Sequence, residues 1–264
     1  MINVLENMLM QFQDVCLTNF PKTTLLIGEE GCGKHTFIST IAKKFNIPVE
    51  EITEKISFEY ILEITLRTFP SFYVIDLDNI TLKEENAILK FLEEPSVNSF
   101  IILISTNRNK IIPTIENRSY IIEFGSYDNE YLTTLIDKSY ENIDLLLSIA
   151  NTPGKILKYQ SYNLQEMITF AEKVLTNISK ANIANILTIA ERIAFKDEKD
   201  KYDFNLFISL LLKISRKLVE NDFIKYYHTY TSTSILNTNK NISNIDKKAL
   251  FYTYLLDLKS EGVS

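Results

Sequence analysis

Apolar residues in the first half of the chain come in short continuous runs separated by amphipathic stretches. TTLLI (23–27), SFYVID (71–76) and FIILIST (100–106) carry apolar residues without alternation, the pattern of strands covered on both faces in a parallel sheet. NIPVEEI adds a weaker second strand, and SYIIEF (119–124) a fifth. Between them lie helical patterns. KHTFISTIAKKF follows the first strand, and SFEYILEITLRTF places Phe58, Ile61, Leu62 and Leu66 near one face. TLKEENAILKFLEEP reads as a helix capped by Thr81 and closed by Pro95. Strands alternating with helices predict an α/β domain built on a five-stranded parallel sheet with flanking helices.

After Gly125 the strand pattern fades. Residues 127–162 suggest short helices. LQEMITFAEKVLTNI, ANIANILTIAERIAF and FNLFISLLLKISRKLV suggest longer ones, and KALFYTYLLDLK closes the chain as another. TYTSTSILNTNKNISNIDKK, mostly Ser, Thr and Asn, is predicted to be loop. The expected layout is an α/β domain over 1–125, a small helical lid over 126–162 and an all-α domain over 163–264, without internal repeats.

Composition narrows the function. The chain has 264 residues, a formal charge of −6, and 45% hydrophobic and 23% charged residues, an ordinary globular balance. A net negative chain is poorly suited to gripping DNA phosphates as its main task, so a partner would supply most of that grip. Two cysteines, Cys16 and Cys32, and two histidines, His35 and His228, make neither a disulfide framework nor a four-thiolate zinc site. No apolar run approaches the roughly 18 to 20 residues of a bilayer span. MINVLENMLMQFQDV lacks the basic flank and apolar centre of a signal peptide, so the expected location is the cytoplasm, with no membrane partner.

The chemistry concentrates in GEEGCGKHT (28–36). Three of the six glycines, Gly28, Gly31 and Gly33, fall between a predicted strand and a predicted helix and are followed by Lys34. That is the setting of a phosphate-binding loop, whose backbone N–H groups and helix dipole receive an anion. His35 stands where the motif G-x-x-x-x-G-K-[ST] places the hydroxyl that holds Mg²⁺. Thr36, about 100° further round the helix, cannot simply replace it.

Four stretches in order resemble the AAA+ clamp-loader family of bacterial DNA polymerase III, the delta-prime type in particular. They are LLIGEEGCGKHT, YVIDLDNITLKEENAILKFLEEPS, IILISTNRNKIIPTIENRSYIIEF and ANTPGKIL. The resemblance covers about residues 20–160, while the rest matches only in being helical, as the family's collar is. It implies an α/β P-loop domain, a helical lid and an oligomerising collar, with ATP and Mg²⁺ as the ligand. Its nucleotide-binding positions fall on Gly28, Gly31, Gly33, Lys34, His35, Thr36, Asp76, Thr106, Asn107 and Lys155. The second ATPase motif is broken whichever way it is aligned. Anchored on the strand, Asp76 takes the metal role and Leu77 replaces the catalytic Glu. Anchored on Asp78 to Thr81, Asp76 takes the Glu place and Ile75 replaces the metal Asp. Thr106 or Asn107 falls on the γ-phosphate sensor, and Lys155 on a lid position where active relatives often carry arginine. Arg118, in E-N-R-S, matches the arginine that reaches a neighbouring subunit's ATP. The four-cysteine zinc module of bacterial relatives is missing, since no cysteine lies between Lys34 and Asp76. Arg108 and Lys110 make a small basic spot after the FIILIST strand.

The implied function is a clamp-loader subunit that does not hydrolyse ATP itself. It would complete an adjacent site in trans, with gamma/tau and delta subunits, the sliding clamp and primer-template DNA as partners. Two alternatives stay open: an active gamma/tau-like motor, and an AAA+-derived adaptor outside replication.

Overall fold

The computed structural model describes residues 3–53, 55–93, 95–194, 203–240 and 245–261. The chain divides into two compact units. The first runs through Leu135 and takes in Asn151–Ile156; the second comprises Ile136–Ala150 and the chain from Leu157 on.

The first unit is built on strands β1 (Thr23–Ile27), β2 (Val49–Glu51), β3 (Ser71–Asp76), β4 (Ser99–Ser105) and β5 (Tyr120–Glu123). They form one sheet in the order β2-β3-β4-β1-β5, with every pairing parallel. Helices α1 (Val4–Gln11), α2 (Lys34–Phe45), α3 (Phe58–Thr65), α4 (Leu82–Glu93), α5 (Pro113–Glu116) and α6 (Asn129–Thr134) complete it. The predicted five-stranded parallel α/β architecture is present. The three continuous apolar runs are β3, β4 and β1 at the sheet's centre, and β4 and β1 are buried along their whole length.

Alternation along the strands sorts two cores. One face carries Leu25, Ile27, Tyr73, Ile75, Ile101 and Leu103, packed with Ile61, Ile64, Ile88, Phe91 and Ile115 from α3, α4 and α5. The other face carries Phe72 and Phe100, which join Phe12, Phe20, Phe37 and Phe45 in a chain of ring contacts. Phe20 and Phe72 lie 5.3 Å apart, Phe72 and Phe100 5.7 Å, and Phe12 and Phe37 5.5 Å. A fully buried Leu or Ile in such a core contributes about 1.5–3 kcal/mol. Thr81 and Glu84 cap α4 reciprocally, as the sequence led one to expect. In α3 the buried pair is Ile61 and Ile64, whereas Phe58, Leu62 and Leu66 form an exposed stripe at four-residue spacing. Ile61 and Ile64, three apart, are the ones that meet the core, so the predicted inward face is corrected in part.

The second unit contains α7 (Ile143–Ile149), the end of α8 (Pro153–Tyr159), α9 (Leu164–Asn177), α10 (Ile183–Ala194), α11 (Phe204–Asn221), α12 (Phe223–Asn239) and α13 (Lys247–Glu261). Its core includes Met167, Val174, Ile186, Leu206, Phe207, Leu211, Phe251 and Leu255. The predicted loop over TYTSTSILNTNKNISNIDKK is instead mostly helix, running to Asn239, with 241–244 outside the described residues. Phe195, in the predicted ANIANILTIAERIAF helix, and Glu94, in LEEP, lie outside them as well. Hydroxyl groups disfavour a helix when they compete for the backbone, but here they are satisfied without breaking it. Thr231, Thr233 and Thr238 donate to the carbonyls of Tyr227, Thr229 and Ser234 one turn earlier. Packing adds the rest, because Ser232, Thr233 and Leu236 are buried. Thr233 Oγ1 lies 2.8 Å from Tyr254 Oη, and Ser232 donates to Asp257 at 2.6 Å. Burial pushes the Tyr254 phenol well above its ordinary value.

Candidate functional site

Parallel strands β1, β3 and β4 end at the same edge, and the loops that follow them carry the site, as is usual for open α/β sheets. Gly28 leaves β1 and its N–H donates to Ser105 O at 3.1 Å, tying the loop to the end of β4. Gly31 (φ 78°) and Gly33 (φ 107°) have left-handed backbones, and Gly33 opens α2. The loop conformation therefore requires the glycines that the motif supplied.

Lys34 is buried, at 7% exposure. Its ammonium donates to the carbonyls of Gly28 and, at 3.1 Å, Glu29. Cys32, beside it, has its thiol pushed up by burial. Tyr127 donates to Cys32 O at 2.5 Å and stacks on Tyr131 at 5.6 Å, and Tyr131 Oη accepts from Asn3 Nδ2 at 3.3 Å. Burial raises Tyr127 to about 12, with Cys32 and Tyr131 adding to the effect. Lys155 reaches the loop: its Nζ lies 2.7 Å from Glu29 Oε2 and 2.9 Å from Asn151 Oδ1.

The positions that would hold a metal are engaged elsewhere. His35 Nδ1 lies 3.3 Å from Glu51 Oε1, both side chains being mostly exposed. Thr36 is exposed, its carbonyl accepting from the Ser39 and Thr40 hydroxyls. β3 ends at Asp76, whose Oδ1 accepts from Asp78 N (3.0 Å) and Oδ2 from Asn79 Nδ2 (2.7 Å). Asp78 instead crosses to β4, accepting from Ser105 Oγ at 2.9 Å and Thr106 N at 2.8 Å. Asn107 Oδ1 accepts from Asn109 N, capping a short turn. Among the described residues, no three His, Cys, Asp or Glu side chains form a metal-holding group. As arranged, these donors do not fit Mg²⁺.

Arg118 follows α5. Its Nη2 donates to Glu93 Oε1 at 2.8 Å and its Nη1 to Thr114 O at 3.1 Å, and it is 37% exposed. Arg108 is paired with both Glu116 (3.0 Å) and Glu123 (2.7 Å). The structure thus brings Gly28, Gly31, Lys34 and Lys155 together around the loop, and joins Asp76 to Thr106 through Asp78. Sequence reasoning missed Glu29, Asn151, Thr152 and Tyr127 as members of the site, and weighed Asp78 as an alignment anchor or, in an active motor, as one of the acids. The first three lay inside the GEEGCGKHT and ANTPGKIL stretches, but only their reciprocal contacts reveal them. No helix among the described residues is long and apolar enough to cross a membrane.

Sheet, glycine loop and C-terminal helices define an α/β domain of P-loop type followed by helices. Residues 49–128 match the family model described as DNA polymerase III, delta subunit. The chain is 25% identical over 208 residues to DNA polymerase III subunit delta' of Buchnera aphidicola subsp. Baizongia pistaciae (strain Bp), a match covering 70% of this chain and 62% of that protein. It therefore spans less than two thirds of that relative's length. Solved structures of similar shape include a DNA polymerase III gamma subunit-related protein of Thermotoga maritima, with TM-score 0.48, 16% identity, and 98% and 99% of the two chains covered. The RuvB Holliday junction branch migration motor of Thermotoga maritima aligns with TM-score 0.43, 16% identity, and 75% and 68% covered. The chain is thus similar to the delta and delta' subunits of DNA polymerase III, the family model matching over residues 49–128.

Proposed function

We propose that this chain is a non-hydrolysing clamp-loader subunit. It works in the cytoplasm in a hetero-oligomer with gamma/tau-type and delta-type subunits, and Arg118 completes a neighbour's ATP site. Through that complex it helps place a sliding clamp on primer-template DNA. The observation that carries this reading is the state of the metal side of the loop. His35 stands in the hydroxyl position and pairs with Glu51, while both carboxylate oxygens of Asp76 are engaged in its own turn. Hydrolysis needs a held metal and an oriented water, and neither group is free to supply them here. Arg118 differs. Its side chain is 37% exposed, and a planar guanidinium can exchange a surface carboxylate for phosphate oxygens.

The test is DNA- and clamp-stimulated ATPase of the complex reconstituted with its gamma/tau and delta partners, comparing wild type, Lys34→Ala and Arg118→Ala. Arg118→Ala is expected to slow the site it serves by about 10³-fold or more, the usual worth of such an arginine. Lys34→Ala is expected to leave the rate near wild type. A damaging Lys34→Ala with a harmless Arg118→Ala would make the chain a motor. No assembly with those partners would leave an adaptor.

A further inference from the structure

Glu29 occupies an unusual place for a carboxylate. It sits within a loop shaped to receive an anion, and its two oxygens are bound by cationic and amide donors from Asn151–Ile156. Lys155 Nζ lies 2.7 Å from Oε2, and Asn151 Nδ2 lies 2.8 Å from Oε1. Asn151 Oδ1 in turn accepts from Lys155 at 2.9 Å, so the three side chains close a ring. Backbone bonds fasten the same segment alongside. Thr152 Oγ1 donates to Glu30 O at 2.8 Å, and Gly154 N–H donates to Gly31 O at 2.9 Å. The approach is too close for a side chain on either segment. A Cβ on Gly154 would lie 2.6 Å from Gly31 Cα, and one on Gly31 would lie 3.0 Å from Gly154 Cα. Burial raises the Glu29 carboxyl, but the bonds from Lys155 and Asn151 and the charges of Lys155 and Lys34 outweigh it, holding it below the usual carboxylate value.

We infer that Glu29 stands in for a nucleotide phosphate: its carboxylate holds Asn151–Lys155 against the phosphate loop, so that this closed arrangement forms without ligand and disfavours nucleotide. Three features of the loop fit that role. Lys155, a cation that a phosphate at the loop would need, already has an anion. Lys34 is turned onto the loop's own carbonyls. An entering phosphate would have to compete with the Glu29 carboxylate for Lys155 and would feel its charge nearby. The inference deepens the non-hydrolysing reading and rests on it.

The experiment uses the full chain, wild type against Glu29→Ala and Lys155→Ala, with ATP as the probe. Amide exchange at Gly154 reports the closure, and calorimetric titration reports affinity. In wild type, Gly154 protection is expected to be equal with and without ATP. Glu29→Ala should lower that protection at least tenfold without ATP, regain it with ATP, and bind ATP at least tenfold more tightly than wild type. Lys155→Ala should lose the protection too, yet bind ATP no better than wild type, since it removes a cation rather than an anion. That contrast separates release of charge from simple loosening. Wild-type protection that depends on ATP, or Glu29→Ala affinity equal to wild type, would overturn the inference. Measured hydrolysis by the wild-type chain would instead sink the non-hydrolysing reading.

Discussion

Asp76 and Asp78 sit two residues apart, yet their removal is expected to differ about twofold in cost. Asp78 makes two bonds across the sheet, to Ser105 Oγ (2.9 Å) and Thr106 N (2.8 Å), and so joins the end of β3 to the end of β4. Hydrogen bonds to an ionised acceptor contribute about 1.5–3 kcal/mol each when sheltered. Asp78 is half-buried and water replaces part of that, so Asp78→Ala is expected to cost about 2 kcal/mol. Asp76 bonds only within its own turn, to Asp78 N and Asn79 Nδ2. Asp76→Ala resembles loss of a helix cap, about 1 kcal/mol. Amide exchange at Thr106 is the direct assay, because it reads local opening at the β4 end without requiring the second unit to unfold. Urea denaturation followed by circular dichroism gives the global figure. Asp76→Ala costing as much as Asp78→Ala, with Thr106 protection unchanged in Asp78→Ala, would refute the assignment of Asp78 as the tie between these strands.

Three other outcomes follow from the same structure. The Glu29 carboxyl lies below its ordinary 4.5 in the folded chain. Its stabilising contribution is therefore present above that value and lost as pH falls through the depressed one, so Gly154 exchange, corrected for intrinsic rate, should accelerate as pH falls below 4.5. Tyr127, raised to about 12 from 10.0, contributes stability that is complete below pH 10 and fades towards 12. In alkaline melts, Tyr127→Phe should lack that part of the decline. Thr233→Val should cost about 1–2 kcal/mol by removing the hydroxyl that meets Tyr254 Oη in a buried site, measured by urea unfolding of α12 and α13.

The sheet was legible because its central strands are covered on both faces. Continuous apolar runs such as TTLLI and SFYVID then mark the strands residue for residue. The loop and α2 were legible because the glycines and Lys34 carry local conformational demands that do not depend on distant partners. α12 was not, since its Ser and Thr residues favour a helix only once α13 supplies Tyr254 and Asp257. The inward face of α3 was blurred for a similar reason. Its apolar residues surround more of the helix than the core covers, leaving Phe58 with the Lys90 ammonium 5.0 Å above its ring. Glu29 looked like one acid among many because its meaning lies in Asn151 and Lys155, more than 120 positions away.

The acids beside the site's cations bear on function alongside the altered metal side of the loop. Lys155 faces Glu29, Arg118 faces Glu93, and Arg108 faces Glu116 and Glu123. These pairs are not equally easy to open. Arg118 and Glu93 are respectively 37% and 53% exposed, and an exposed pair of this kind is worth about 0.2–1 kcal/mol. A neighbour's phosphate, with more charge and several acceptor oxygens, can take that guanidinium at little cost. Lys155 and Glu29 form the corner of a ring closed by Asn151 and braced by the Thr152 and Gly154 bonds, so separating them disturbs the whole segment. Lys34 is buried on carbonyl oxygens and, among the described residues, has no acid partner to exchange. The one readily released cation among these three is therefore Arg118, whose proposed ligand belongs to another subunit. The two at the chain's own loop are held where only a rearrangement of that loop would free them.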